Sequence, residues 1–329
     1  MFSRMSWGPE SPTKDSLRRS GRARAIFYTT RNGGPWVTSR RAQIHAALKN
    51  PHIFASSATN IPRYPDGIEK GPLRIPITVD PPAHTKYRTL LDGFFSPAAV
   101  GKMEESTRKL ANELIDNVAN RDEFDFVAEI AIPLPVLIFL TMMDMPLGRY
   151  RELASWVTDF FIATEEAAQI AVMVRIQNYM ATLVDQRTAT PGEDVISRLL
   201  QSEEIGREEV LSICNLLFLA GLDTVTSALS YLTYDLSRNS RWIDQLRANP
   251  ELVSEVIEES LRINTIPNTI RRIAVDTEFD GLSLKQNEVA WLMLSVAKRD
   301  DEQIEQPDVS IRCVRRNPIW RSAVASIAV

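Results

Sequence analysis

From 207 to 238 the chain runs without a proline, and the middle of that run is apolar nearly all round. The pattern predicts one helix, far longer than the mean of about 12 residues. A helix that is hydrophobic on every side must be covered on every side, so it belongs at the centre of a helical protein. Further helices are expected over 83–94, 97–120, 127–143, 147–164, 166–188, 193–201, 241–247 and 250–263, after a shorter one over 40–50 that stops before Pro51. β-prone runs are few: 26–30 and 36–39 around the hairpin signal Asn32-Gly33-Gly34, then 279–284 and 289–294. The expectation is a single mainly α domain with small β sheets.

Composition removes several function classes. The 329 residues are 44% hydrophobic and 24% charged, with net charge −4, so no basic footprint points to nucleic acid. Two cysteines cannot form a disulfide scaffold and suit a reducing compartment. Residues 1–25, rich in Arg, Ser and Pro, read as a loose leader without the apolar segment of a secretory signal. The apolar run 130–143 is interrupted by Pro133 and Pro135 and falls short of the about 20 residues a bilayer span needs. It reads as a buried helix, and the protein as cytoplasmic without a membrane partner. Prolines crowd 51–82, an irregular segment of the kind that is usually functional or mobile. No Gly-x-Gly-x-x-Gly or Gly-x-x-x-x-Gly-Lys-Ser/Thr phosphate loop is present.

Three constellations could carry chemistry. Ala220-Gly221-Leu222-Asp223-Thr224 places a glycine and two polar residues inside the long apolar helix. Glycine there costs about 1 kcal/mol of helix propensity, and a threonine can bond back to a carbonyl one turn earlier and distort the helix. The stretch is either a packing notch for a crossing helix or a place where a flat ligand and oxygen reach the backbone. Glu259 and Arg262 lie at i and i+3 on one helix face, a spacing that usually marks a solvated ion pair. Asp80-Pro81-Pro82-Ala83-His84-Thr85-Lys86-Tyr87-Arg88 starts a helix at Pro82 or Ala83, with His84 and Arg88 on one face. That face is an exposed basic surface or a clamp for an anionic group.

The order Pro81-Pro82-x-His-x-x-x-Arg, Ala-Gly-x-Asp-Thr, Glu-x-x-Arg and Ala297-Lys298-Arg299-Asp300 resembles the cytochrome P450 family, in its soluble bacterial camphor-hydroxylase type. The likeness covers about 26–308. It implies a P450 fold, incomplete at the C-terminus, and haem b as cofactor. It implies that His84 and Arg88, with Arg271 or Arg272, bind the haem propionates. Ala220, Gly221, Asp223 and Thr224 would line the oxygen pocket, and Glu259–Arg262 would be a structural buried pair. The activity implied is a monooxygenase that inserts one atom of O2 into a small apolar substrate. Electrons would come from a separate ferredoxin-type donor.

The chain departs from the family at one point. No Phe-x-x-Gly-x-x-x-Cys loop follows the Glu-x-x-Arg helix, so the axial cysteine is missing. Cys214 lies upstream in the apolar helix and reads as a core residue, and Cys313 lacks the surrounding Phe and Gly. Back-translation offers a reason. Read one base early from the last base of the Asp308 codon, degenerate codons permit Arg-Phe-Asp-Pro-Leu-Arg, three open positions, and Pro-His-Leu-Ala-Phe-Gly-Ser-Gly-x-His-Arg-Cys. Residues 309–329 are therefore expected to be a frameshifted tail. Thr13–Arg18 read one base early similarly permits His-Glu-Gly-Leu-Ala-Gln. Two other functions stand beside the monooxygenase: a non-catalytic remnant that exposes core surface, and a helical ligand-binding or scaffold protein without redox chemistry.

Overall fold

The computed structural model describes residues 25–31, 34–57, 74–300 and 304. The expected hairpin forms, with β1 (Ile26–Tyr28) antiparallel to β2 (Trp36–Thr38) and Phe27 opposite Val37. Its turn residues Asn32 and Gly33, the leader before residue 25 and the 309–329 tail with Cys313 lie outside the described residues. After α1 (Arg41–Leu48), the two-residue β3 (Phe54–Ala55) pairs with β4 (Thr269–Ile273). A second hairpin, β5 (Thr277–Phe279) and β6 (Leu282–Leu284), turns on Asp280 and Gly281 at φ of +52° and +73°. Two successive left-handed residues suit a two-residue hairpin turn, and Asp-Gly meets that demand at little steric cost. Strand β7 (Val289–Leu292) lies between β4 and β2, antiparallel to the first and parallel to the second, giving the order β1-β2-β7-β4-β3. The sheet buries Ile44, Phe54, Ile273, Leu284 and Leu292 in a small core of its own.

The helical part begins with α2 (Ala83–Phe95) and α3 (Pro97–Asp116). Helix α3 starts at Ser96, whose hydroxyl accepts the Ala99 N–H at 3.2 Å, with Pro97 in the first position. A π turn, Val127–Ala131, leads into α4 (Pro133–Met142), followed by α5 (Tyr150–Ile162) and α6 (Glu166–Ala189). Then come α7 (Val195–Leu200), α8 (Arg207–Gly221), α9 (Thr224–Ser237), α10 (Ser240–Ala248), α11 (Val253–Ile263) and the single turn α12 (Leu294–Ala297). The expected helices are present with shifted ends; the one over 97–120 stops at Asp116.

The long central helix corrects the sequence reading in two ways. It is broken at Leu222–Asp223 into α8 and α9. And only α8 is central: Val210, Ile213, Cys214, Phe218 and Leu219 are buried, in one core with Leu140, Leu153, Ile176 and Met180. Helix α9 has no buried residue among those described. The π turn, α4, α10 and α11 pack against it, and its residues are half-buried or exposed. By length and composition Arg207–Ser237 could cross a membrane, yet its α8 half is the core of the helical layer.

Candidate functional site

The break in the central helix follows from its own residues. A Cβ added to Gly221 would lie 2.7 Å from Phe139 Cδ2 on α4, so only glycine lets α8 approach α4 this closely. Three residues on, the Thr224 hydroxyl donates to the Ala220 carbonyl at 3.0 Å, the back-bonding that bends helices. Ala220 and Thr224 are exposed and Asp223 is half-buried. Gly221 is thus a packing notch, and the Ala220–Thr224 stretch beside it is opened backbone with a hydroxyl and a carboxylate next to it.

Helix α2 is tied to this region by contacts that span long stretches of sequence. Asp80 Oδ1 accepts the Ser56 N–H at 2.8 Å, and the Asp80 carbonyl accepts the His84 N–H at 3.0 Å, which anchors the helix start beside β3. His84 is half-buried; Arg88 is exposed and paired with Asp92 at 3.0 Å. On the other face the Tyr87 hydroxyl donates to Glu209 Oε1 at 2.5 Å, and Lys86 Nζ lies 3.4 Å from the same oxygen. The Tyr87 hydroxyl and the Gly206 N–H hold the Glu209 carboxyl below the usual carboxylate range, and the same bond pushes the Tyr87 phenol up. With the Ile75 N–H on the Ser212 hydroxyl at 3.2 Å, α2 is held alongside α8.

Arg271 and Arg272 are successive residues of β4, so they point to opposite faces of the sheet. Arg272 is engaged by Ser57 Oγ at 2.8 Å and Asn287 Oδ1 at 3.1 Å. Arg271 Nη1 donates to Thr269 Oγ1 at 2.8 Å and the Ile270 carbonyl at 2.9 Å, and it has no carboxylate within ion-pair distance among the described residues. Burial lowers its pKa, partly offset by the charge of Asp80. Arg271 is thus a desolvated cation that senses the charge of Asp80, the residue whose carbonyl caps the His84 helix.

Glu259 and Arg262 are buried, 4% and 5% exposed, and form a two-pronged pair: Nε to Oε2 at 2.7 Å and Nη2 to Oε1 at 2.6 Å. Arg262 Nη1 also reaches the Lys298 carbonyl at 3.1 Å, and Arg299 Nη2 the Ile263 carbonyl at 2.6 Å. Asp300 in turn accepts from Arg40 Nη1 at 2.5 Å and from the Arg41 N–H at 3.1 Å. The Ala297–Asp300 run therefore joins α11 to the start of α1. Cys214 lies fully inside the helical core, and burial pushes its thiol up to about 12.

The "Cytochrome P450" family model matches residues 138–309, more than half of the chain. The chain belongs to the cytochrome P450 family. It is 30% identical to the P450 127A1 of Sinorhizobium fredii over 292 residues, covering 86% of this chain and 70% of that one. It is 29% identical to the P450 109 of Bacillus spizizenii over 313 residues, covering 90% of this chain and 73% of the other. It spans 64% of the P450 YjiB of Bacillus subtilis, at 30% identity. Among solved structures, P450BioI bound to an acyl-carrier protein superposes with TM-score 0.83 at 23% identity, covering 95% of this chain and 87% of that one. The P450 CYP101J2 superposes with TM-score 0.80 at 25% identity, covering 92% and 78%. The fold is thus the P450 fold. Members of the family are haem-thiolate monooxygenases with haem b as cofactor.

The residues of this P450 fit that cofactor on one side. Arg271, desolvated and without a carboxylate in ion-pair distance among the described residues, would suit a propionate, and the Ala220–Thr224 break would face the oxygen side. The axial position is different: Cys214, the cysteine among the described residues, is a protonated core thiol. Sequence reasoning missed Phe139 as the partner of Gly221, and the roles of Asp80 and Glu209. Each acts through a contact with a residue far away in the chain, and no local pattern signals such a contact.

Proposed function

We propose that this chain carries the distal wall and propionate side of a haem-thiolate monooxygenase that inserts one atom of O2 into a small apolar substrate. The observation that carries this reading is the broken helix, with the Thr224 hydroxyl on the Ala220 carbonyl at 3.0 Å. The haem, when bound, supplies the oxygen chemistry. Around it Arg271, with His84 and Arg88, holds the propionates; Arg272, engaged by Ser57 and Asn287, contributes to the sheet instead. Gly221 seats α8 against Phe139 and so sets the position of the turn, and Thr224 and Asp223 hold and pass protons there. Glu259 and Arg262 support the core behind it. Electrons come from a separate ferredoxin-type protein in the cytoplasm.

The iron ligand, in this reading, is encoded after Asp308 one base out of frame. A second reading, a remnant without catalysis, is favoured by the open side of helix α9, where Val225, Tyr231 and Tyr234 are 48%, 48% and 57% exposed. Large apolar side chains left open across a helix surface are what a lost packing layer leaves behind. Two measurements decide. Resequencing across codons 305–329 is expected to find the loop in one frame, and finding it in no frame sinks the frameshift. The chain as given and its frame-repaired version are then supplied with haem, and their reduced CO-bound spectra recorded. A thiolate-type band from the repaired chain alone is the expected result; a band from the chain as given refutes the remnant reading.

A further inference from the structure

We infer that the π turn and α4 form a brace that sets the angle between the two halves of the broken helix. Phe139, Pro133 and Pro135 are then positioning residues for the opened turn at Ala220–Thr224. The inference rests on the reading of that turn as the oxygen side of a haem site for its bearing on function. The shape of the brace is dictated by its own residues. Asp125 opens it, accepting the Val127 and Ala128 N–H groups at 2.9 and 3.1 Å. The Ile132 N–H then reaches back five residues to the Val127 carbonyl at 2.9 Å, one residue further than in an α-helix. Pro133 and Pro135 have no N–H to give the Glu129 and Ala131 carbonyls, and in a regular helix their rings would strike those carbonyls. The ladder widens there and returns to α spacing at Val136, whose N–H bonds the Ile132 carbonyl at 3.4 Å. Ile130, Ala131, Pro133 and Pro135 are buried, so the irregular turn is held inside the core.

This element meets both sides of the break at Leu222–Asp223. On the α8 side the Phe139 ring fills the notch at Gly221, where an added Cβ would lie 2.7 Å from Cδ2. On the α9 side the π turn packs along the helix, and α4 touches it as well. Helix α3 backs the π turn, and α5 backs α4. Packed interiors give little, so an element held from behind and touching both sides of a break fixes the angle across it. Helix α8 has a seat of its own in the core, with α6 and α7 against it. Helix α9 buries no residue among those described, so its direction depends on the elements it touches. The Thr224 hydroxyl reaches across the break to the Ala220 carbonyl at 3.0 Å, so that bond and the place of Asp223 beside it follow the angle. The first turn of α9 closes just beyond, with the Ser227 N–H on the Asp223 carbonyl at 3.0 Å.

Hydrogen exchange of the full haem-free chain, read by mass spectrometry over residues 220–228, tests the brace, with far-UV circular dichroism on every variant. Phe139→Leu is expected to speed exchange there about tenfold, by freeing the turn to open locally. Pro133→Ala with Pro135→Ala, which lets the π turn tighten to α spacing, should change exchange in the same segment by about threefold or more. Met180→Ala, a truncation of a fully buried side chain on α6 in the same core, controls for general loss of stability and should leave the segment within about twofold of the parent. Gly221→Ala in the Phe139→Leu background refills the notch and should bring exchange back to within about threefold. The frame-repaired chain with haem adds a reading of the site itself, the infrared C–O stretch of its reduced CO complex. That band is expected to shift or broaden in Phe139→Leu and in the double proline variant, and to stay in place in Met180→Ala. Exchange over 220–228 that is unchanged in Phe139→Leu, or that rises no more than in Met180→Ala, overturns the inference. So does a C–O stretch that Phe139→Leu leaves unmoved. A frame-repaired chain without a thiolate band would instead refute the monooxygenase reading, and the exchange of the haem-free chain would still decide the brace.

Discussion

The guanidinium of Arg262 grips both oxygens of Glu259 at 2.6 and 2.7 Å, inside a site where each side chain is about 5% exposed. Removing one partner of such a pair strands the other charge in low dielectric, which costs about 3–5 kcal/mol. Glu259→Ala and Arg262→Ala are each expected to lower stability by that amount in chemical denaturation. The double variant Glu259→Leu with Arg262→Met should lose less than either single change. A double loss equal to the sum of the singles would show that the two residues act independently.

Gly221 faces the ring of Phe139, which is 5% exposed and set edge-on to Phe218 at 6.2 Å between centroids. The buried ring can retreat only by displacing its neighbours in the core. Gly221→Ala is expected to cost about 1–3 kcal/mol, although alanine is the better helix former. Phe139→Leu should recover part of that loss in the Gly221→Ala background while costing stability alone. Additive losses in that double-mutant cycle would refute the clash.

Secondary structure was legible here because local signals agreed with the fold: Ser96 with Pro97, the Asp280-Gly281 turn, and the apolar period of α8. The break after Gly221 was signalled by Thr224, since a hydroxyl four residues past a carbonyl is a local feature. What stayed hidden was long-range. Asp80 meets Ser56 and influences Arg271, and Glu209 meets Tyr87, and each partner is chosen by the packing of whole helices. The expected burial of α9 failed for the same reason, because an apolar helix reports that it needs cover and not whether cover is supplied.

Cys214 is fully buried, and its thiol is pushed up to about 12 by loss of solvation. A thiol of that kind is protonated at neutral pH and inert. It is expected not to react with an aromatic disulfide reagent until the chain unfolds. Cys214→Ala should leave any haem spectrum of the frame-repaired chain unchanged. A spectrum altered by this substitution would make Cys214 a ligand after all.

Glu209 is held as a carboxylate below its usual range, first by the Tyr87 hydroxyl and then by the Gly206 N–H. A carboxyl depressed in the folded state adds stability above its unfolded pKa of about 4.3, and that stability is lost as pH falls through the lower folded value. Because Glu209 is partly exposed, the contribution stays below about 1 kcal/mol. Tyr87→Phe removes the largest cause. Its melting temperature is expected to fall less steeply between about pH 5 and pH 3 than that of the parent. Parallel profiles would show that the Tyr87–Glu209 bond does not set the acid response.

Arg271 gives a prediction with two opposite signs. Its guanidinium is desolvated and has no carboxylate within ion-pair distance among the described residues, so in the absence of an anion it is a cost to the fold. Arg271→Leu is therefore expected to leave the haem-free protein as stable as the parent, or more stable by up to about 1–2 kcal/mol. The same change removes the cation proposed for a propionate, so haem uptake by the frame-repaired chain should weaken by about tenfold or more. Arg271→Lys keeps the charge and loses the fork, and should fall between the two. Arg272→Leu serves as the comparison, since it breaks the bonds to Ser57 and Asn287. It should cost stability and leave haem affinity close to the parent's. Calorimetric melting of the haem-free proteins and haem titration followed by absorbance measure the two effects separately. Loss of stability in Arg271→Leu with unchanged haem affinity would reverse the assignment of the two arginines.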